Sequence, residues 1–169
     1  MTDVASGNAS AAPVIATTEA IWVGGHRFEA GPDGRRHTID AGGGTDERTA
    51  PGPVEALLNA VATCSAIDVI DILAKRRTPV EKMSVVVTAE RRGEHPRRVQ
   101  RLDIEYRIDG EGIDPEQAKR AMQLSFERYC SVAASLASDI VTEARLTLNG
   151  ERFPPVRQHV WSPAANPPG

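Results

Sequence analysis

One long helix-like segment sets the strongest limit on what this chain can fold into. It runs from Pro53 to Lys75 with an almost wholly apolar interior, and Thr78 and Pro79 end it. A helix that is apolar on nearly every side cannot lie on the surface of a small domain. We therefore expect a sheet or a second chain to bury it.

Alternating apolar and polar residues predict strands on both sides of this helix. Residues 83–89 and 102–108 alternate in this way, which is typical of antiparallel strands with one face on a core and one in water. Two more strands flank the turn-like PDGRR, one ending near Gly31 and one covering His37 to Ala41, and another covers residues 142–148. The sheet is therefore expected to have about five or six strands.

Two further helices are predicted after these strands. Asp114 can cap the first of them, Pro115 suits its first position, and Gln117 stands where a capping-box partner would. The second runs from Ser131 to Ser138. The order of elements predicts an α+β fold.

The chain of 169 residues is long enough for one domain with a core of its own. Residues 1–16 are rich in Ala, Ser and Gly, and residues 151–169 are rich in proline. Neither composition buries enough apolar surface to become ordered alone. We predict a disordered N-terminal tail over 1–16, a domain over 17–150 and a proline-rich extension over 151–169.

The charge and hydropathy patterns exclude several classes of partner. The net charge is −3, so we expect no binding to nucleic acid. The basic stretch from Arg91 to Arg101 is interrupted by Glu94, which indicates a solvated hairpin end. No apolar run reaches the ~18 residues that span a membrane, and the N-terminus lacks the features of a signal peptide. A cytoplasmic protein without a membrane partner is the expectation.

The two cysteines are the residues most open to chemistry. Cys130 precedes a helix, whose first amides favour a thiolate. Cys64 lies in the middle of the long helix, where the helix dipole gives a thiolate little help, and a small buried thiol is the alternative there. Scattered histidines predict no metal site. The sequence also lacks the motifs of serine hydrolases, P-loops and dinucleotide-binding folds.

Three stretches resemble, in order and spacing, the OsmC/Ohr superfamily of osmotically inducible and organic hydroperoxide resistance proteins. They are GPVEALLNAVATCSAIDVIDILAKRR, AERRGEHPRRVQRLDIEYRIDG and SFERYCSV, and the resemblance covers about Thr17 to Gly150. It implies an intertwined homodimer whose sheets wrap around two central helices. It also implies a thiol-dependent peroxidase that reduces organic hydroperoxides at the dimer interface.

The resemblance assigns roles to individual residues. Cys64 matches the peroxidatic cysteine and Cys130 the resolving cysteine, and an external dithiol reduces the disulfide that they form. No metal, flavin or haem cofactor is needed. Apolar neighbours of Cys64, namely Leu57, Val61 and Ile67, suit the organic part of a hydroperoxide substrate.

The family also uses an arginine that keeps the thiolate charged and a glutamate that orients this arginine. Its best-studied members carry Glu directly after the helix-opening proline, whereas here the carboxylate comes one position later, at Glu55. Nine helical positions put Glu55 and Cys64 on opposite faces ~13 Å apart, so they cannot touch along one straight helix. Arg27 in the first hairpin and Arg48 in the following loop are both candidates, and Arg48 is slightly favoured because a loop can close over substrate.

Two functions from other classes stay open at this point. The dimer could be a non-catalytic module that binds a small apolar ligand, with both cysteines as packing residues. It could also be a thiol redox sensor that becomes oxidised and passes the signal to a partner.

Overall fold

A computed structural model describes residues 12–43 and 48–161. The chain divides into two compact units, residues 1–53 and 54–169. The predicted tail over 1–16 lies mostly outside the described residues, and residues 12–16 are exposed without regular structure.

The N-terminal unit contains a three-stranded antiparallel sheet. Its strands are β1 (Glu19–Gly24), β2 (Arg27–Gly31) and β3 (His37–Asp40), paired in the order β1-β2-β3. The sequence predicted β2 and β3 but not the separate β1. Gly24 and Gly25 have φ angles of 120° and 55°, and these values let the chain turn back between β1 and β2.

The second unit begins with the long helix α1 (Pro53–Lys75), which has the predicted bounds. Four residues of one stripe are buried at a spacing of four: Val61, Ser65, Val69 and Leu73. By length and composition, α1 is long and apolar enough to cross a membrane, although the core helix of a soluble protein meets the same criteria. Only 22% of its most apolar window is buried within this chain, so much of its apolar surface faces outward.

A five-stranded sheet packs on the buried stripe of α1. It comprises β4 (Lys82–Arg91), β5 (Val99–Asp109), β6 (Val141–Leu148), β7 (Glu151–Arg152) and β8 (Val156–Arg157). The apolar face of β5 carries Leu102, Ile104, Tyr106 and Ile108, all buried in the core. The β4–β5 pair is antiparallel as predicted, whereas β5 and β6 are parallel.

The connection between β5 and β6 explains this parallel pair. It contains α2 (Pro115–Leu124), a single π-helical turn (Ser125–Tyr129) and the short α3 (Ser131–Ala134), and a helical crossover of this kind returns the chain to the same end of the sheet. Asp114 caps α2 as predicted, because its side chain accepts a hydrogen bond of 3.0 Å from the Gln117 amide. Helix α3 is shorter than the predicted 131–138.

The described part of the C-terminal extension lies along β6. Strands β7 and β8 both pair with β6, and the Gln158 amide donates to the Thr142 carbonyl oxygen at 2.8 Å. The composition predicts that this segment does not become ordered alone. An existing sheet edge supplies the hydrogen bonds that order it.

Candidate functional site

The two cysteines meet in the core of the second unit. Cys64 lies in the middle of α1 and is half-buried, while Cys130 is 2% exposed in the hydrophobic core, and both are free thiols. Their side chains lie close enough for Cys64 to raise the pKa of the Cys130 thiol. The fold therefore brings together two residues that are far apart in the sequence.

Burial dominates the ionisation of Cys130. It raises the pKa of this thiol to about 12, and the neighbouring Cys64 side chain and the Asp68 charge act in the same direction. The sulfur accepts a 3.4 Å hydrogen bond from the Ala133 amide at the start of α3, which lowers the pKa by less. The sequence correctly located Cys130 at a helix start, but the expected bias towards a thiolate is outweighed.

Polar side chains surround the cysteine pair. The Tyr106 hydroxyl donates to Ser65 Oγ at 2.6 Å, and Ser125 Oγ donates to Asp68 Oδ2 at 2.7 Å. Burial is the main cause that raises the pKa of Tyr106, and negative charge on Cys130, Asp68 and Cys64 adds to it. Tyr106 is therefore a neutral donor at physiological pH.

Sequence patterns did not identify three members of this cluster. Ser65 follows Cys64 directly, Tyr106 occupies a core position of β5, and Ser125 begins the π-helical turn. The sequence feature that could have identified Tyr106 is its hydroxyl, because this group needs a hydrogen-bond partner wherever the ring is buried. The alternation of apolar residues does not predict a π-helical turn. No sequence pattern therefore predicted that Ser125 lies opposite Asp68.

The predicted substrate-contacting residues lie at different depths along α1. Leu57 and Ile67 are exposed, whereas Val61 is fully buried. Seven helical positions separate Leu57 from Cys64, which places both on one face of α1. An apolar surface therefore adjoins the half-buried thiol, and an open cavity of about 500 Å³ borders Asp68 and Tyr129.

The predicted charged partners occupy both units. Glu55 lies in the first turn of α1, about 13 Å along the helix from Cys64. In the N-terminal unit, Arg27 pairs with Asp40 across β2 and β3 at 3.3 Å, and Arg48 lies next to Gly42 in the following loop.

Asp40 ties the loop that carries Arg48 to the N-terminal sheet. It accepts hydrogen bonds from the Gly42 amide at 2.9 Å and the Thr49 amide at 3.2 Å, and these bonds, together with Arg27, lower the pKa of Asp40. One carboxylate thus binds described residues on both sides of 44–47, which lie outside the described residues.

Among the described residues, no group of three or more His, Cys, Asp or Glu side chains could hold a metal ion. A pair of facing thiols can instead form a disulfide, provided that one of them is first oxidised.

Comparisons with known proteins agree with this architecture. The family model described as OsmC-like protein matches residues 43–145, so the chain belongs to the OsmC-like family. The protein YhfA of Escherichia coli K12 is 39% identical over 115 residues, which cover 68% of this chain and 84% of YhfA.

Two solved structures share the fold. The OsmC-like protein from Mycoplasma pneumoniae has a TM-score of 0.69 at 18% identity, covering 78% of this chain and 95% of that one. The organic hydroperoxide resistance protein OhrB of Bacillus subtilis has a TM-score of 0.53 at 13% identity, covering 80% and 98%. These structures confirm the predicted α+β fold.

Proposed function

We propose that this protein is a thiol-dependent peroxidase that reduces organic hydroperoxides. The observation that carries the proposal is the interaction of the Cys64 and Cys130 side chains in a member of the OsmC-like family. The name of OhrB, a protein of the same fold, refers to organic hydroperoxide resistance.

Cys64 is the peroxidatic residue in this proposal, because it is the more exposed of the two thiols. Its thiolate attacks the O–O bond of the hydroperoxide, forms an S–O bond and releases the alkoxide, which takes a proton to become the alcohol. Cys64 is thereby oxidised to a sulfenic acid. Arg48 or Arg27 would keep the thiolate charged, oriented by Glu55.

Cys130 is the resolving residue. It keeps its proton in the reduced protein, since burial raises the pKa of this thiol to about 12. Once Cys64 is a neutral sulfenic acid, the Cys64 thiolate no longer raises the Cys130 pKa. The Cys130 sulfur then attacks the sulfenic sulfur, a disulfide forms, and water leaves. An external dithiol becomes oxidised as it returns both thiols to the reduced state.

The substrate and assembly in this proposal follow from the outward face of α1. Leu57 and Ile67, which is 59% exposed, would contact the organic part of the substrate near Cys64. A second copy of the chain would cover the remaining apolar surface of α1, as a homodimer. The cycle requires a reducing compartment, for which we propose the cytoplasm.

Mass spectrometry after addition of one equivalent of cumene hydroperoxide to the reduced protein tests the proposal. The expected product is an intramolecular Cys64–Cys130 disulfide and one equivalent of alcohol. Cys64→Ser should not react, whereas Cys130→Ser should stop at a sulfenic acid that dimedone traps on Cys64. Unchanged thiols in the wild-type protein would contradict the proposal.

A thiol redox sensor is the second candidate. The observation in its favour is Asp68, whose negative charge disfavours ionisation of the neighbouring Cys130 thiol. A sensor would form the same disulfide once and then turn over slowly with a dithiol. Steady-state consumption of hydroperoxide in the presence of a dithiol separates the two functions.

A further inference from the structure

The π-helical turn over Ser125–Tyr129 ends directly before Cys130. The Cys130 amide closes this turn by donating to the Ser125 carbonyl oxygen at 2.8 Å. An α-helix bonds residues four apart and a π-helix bonds residues five apart, so the turn holds one residue more than an ordinary helical turn. Such turns are rare and are frequent at functional sites. Here the turn determines where the Cys130 backbone lies.

Asp68 of α1 holds the first residue of this turn. Ser125 is fully buried, and its hydroxyl donates to Asp68 Oδ2 at 2.7 Å. Asp68 lies four positions after Cys64, so both side chains lie on the same face of α1. Two hydrogen bonds in series therefore connect Asp68 to the Cys130 backbone, one through the Ser125 hydroxyl and one through its carbonyl oxygen. The helix that carries Cys64 thus also anchors the segment that carries Cys130.

Two further hydrogen bonds fix the turn and the sulfur. The Trp161 amide, from the C-terminal extension, donates to the Phe126 carbonyl oxygen in the turn at 2.9 Å. The Ala133 amide donates to Cys130 Sγ at 3.4 Å. Both α1 and the extension therefore hold the turn, and α3 orients the thiol that follows it.

We infer that Asp68 and Ser125 are positioning residues for the resolving step, because through the π-helical turn they hold the Cys130 sulfur within reach of Cys64. The inference rests on the proposed peroxidase function and concerns its second step. In that step the two sulfurs form the S–S bond, the S–O bond of the sulfenic acid breaks, and the hydroxide leaves with the Cys130 proton as water. Asp68 and Ser125 exchange no atoms or electrons in this step. They contribute by presetting the geometry of two groups that must meet.

The carboxylate of Asp68 also has an effect that opposes resolution. Its negative charge helps to raise the pKa of Cys130 and so disfavours the thiolate. The two effects can be separated, because an asparagine carbonyl oxygen still accepts the Ser125 hydroxyl but carries no charge. Asp68→Asn should therefore keep the position of Cys130, whereas Asp68→Ala should lose it.

The first test measures positioning without any hydroperoxide. The full-length protein is equilibrated with reduced and oxidised glutathione, and the disulfide fraction is measured by acid quench, alkylation and mass spectrometry. One oxidised glutathione accepts the two electrons and yields two thiols as the Cys64–Cys130 disulfide forms. The equilibrium constant gives the effective concentration of one thiol at the other. This quantity should fall at least about tenfold in Ser125→Ala and in Asp68→Ala, because each loses a hydrogen bond to a charged group.

Matched variants separate positioning from a general loss of stability. Asp68→Asn should keep the effective concentration within about threefold of the wild-type value. Asp114→Ala removes a carboxylate hydrogen bond at the other end of α2 and should change it less than about twofold. Trp161→Pro removes the amide that binds Phe126 and should lower it about threefold, whereas Trp161→Ala keeps this amide and should not.

The second test separates the two chemical steps with cumene hydroperoxide in a rapid-quench experiment. In Ser125→Ala, formation of the Cys64 sulfenic acid should keep its rate within about twofold, while disulfide formation should slow at least about tenfold. The sulfenic acid should then accumulate and be trapped by dimedone. A variant that is merely less stable would not slow the second step selectively.

Three results would overturn the inference. They are an unchanged effective concentration in Ser125→Ala, an equal fall in Asp114→Ala, and a fall in Asp68→Asn as large as that in Asp68→Ala. Urea unfolding verifies that each variant is folded, and if Ser125→Ala does not fold, the comparison of Asp68→Ala with Asp68→Asn decides. A wild-type protein that forms the disulfide with glutathione but not with hydroperoxide would refute the proposed function, while the glutathione results would still support the positioning role.

Discussion

Titration of the Cys130 thiol is a direct measure of the environment around the cysteine pair. Its pKa is raised from the ordinary value of 9.0 to about 12, and burial is the largest cause. At pH 7 an ordinary thiol of pKa 9.0 is ~1% ionised, whereas a thiol of pKa 12 is ionised to ~0.001%. We therefore expect about a thousandfold less thiolate at Cys130 than at an exposed cysteine.

The assay is the ultraviolet absorbance of the thiolate in Cys64→Ser after rapid pH jumps, so that the reading precedes any unfolding. Cys64→Ser with Cys130→Ser serves as the blank, because it subtracts the tyrosine signal. The substitution removes the contributions of Cys64 to the pKa but leaves burial and Asp68, so the midpoint should stay well above 9.0. The urea-unfolded variant should titrate near ~8.5. A midpoint at or below 9.0 in the folded variant would refute the reasoning.

Three further predictions concern stability. Ser65→Ala should lower the unfolding free energy by ~1–3 kcal/mol, because it leaves the buried Tyr106 hydroxyl without its hydrogen-bond partner, whereas Tyr106→Phe should lower it by only ~1 kcal/mol. In urea unfolding, the double variant should be as stable as Tyr106→Phe. Additive losses would contradict the hydrogen bond. The pKa of Cys130 is higher in the folded protein than in the unfolded chain. Its contribution to the unfolding free energy is therefore fully present below the pKa of the unfolded chain and is lost as the pH rises towards 12. Cys130 should therefore add up to about 1.4 kcal/mol per pH unit to the fall of the unfolding free energy between ~9 and ~12, and the slope of Cys130→Ala should be smaller by that amount. Asp114→Ala removes the cap of α2 and should lower the unfolding free energy by ~1 kcal/mol in the same urea assay, whereas Asp114→Asn should lower it much less. Equal losses for the two variants would contradict the capping role.

Local signals predicted the elements well where they were strong. The bounds of α1 follow from its apolar run and from Thr78 and Pro79, and the cap of α2 follows from Asp114. Period-two alternation identified which face of β5 is buried. It carries no information on which strand lies beside it, so the parallel partner β6 could not be predicted.

The candidate site depended on contacts between distant parts of the chain. The resemblance to a family placed Cys64 and Cys130 together, whereas spacing alone could not. The π-helical turn places Ser125 near the cysteines, and the register of β5 places Tyr106 there. No local sequence pattern encodes either feature. Helix geometry alone was enough to separate Glu55 from Cys64.

The strands that follow Gly150 have a consequence for how the sheet meets other chains. An open strand edge is a template for aggregation, since its amides and carbonyls can add a foreign strand. Here β7 and β8 occupy that edge of β6, and between them Pro154 and Pro155 have no N–H to offer an incoming chain. A protein shortened at Gly150 would uncover β6, and we expect it to self-associate by strand addition.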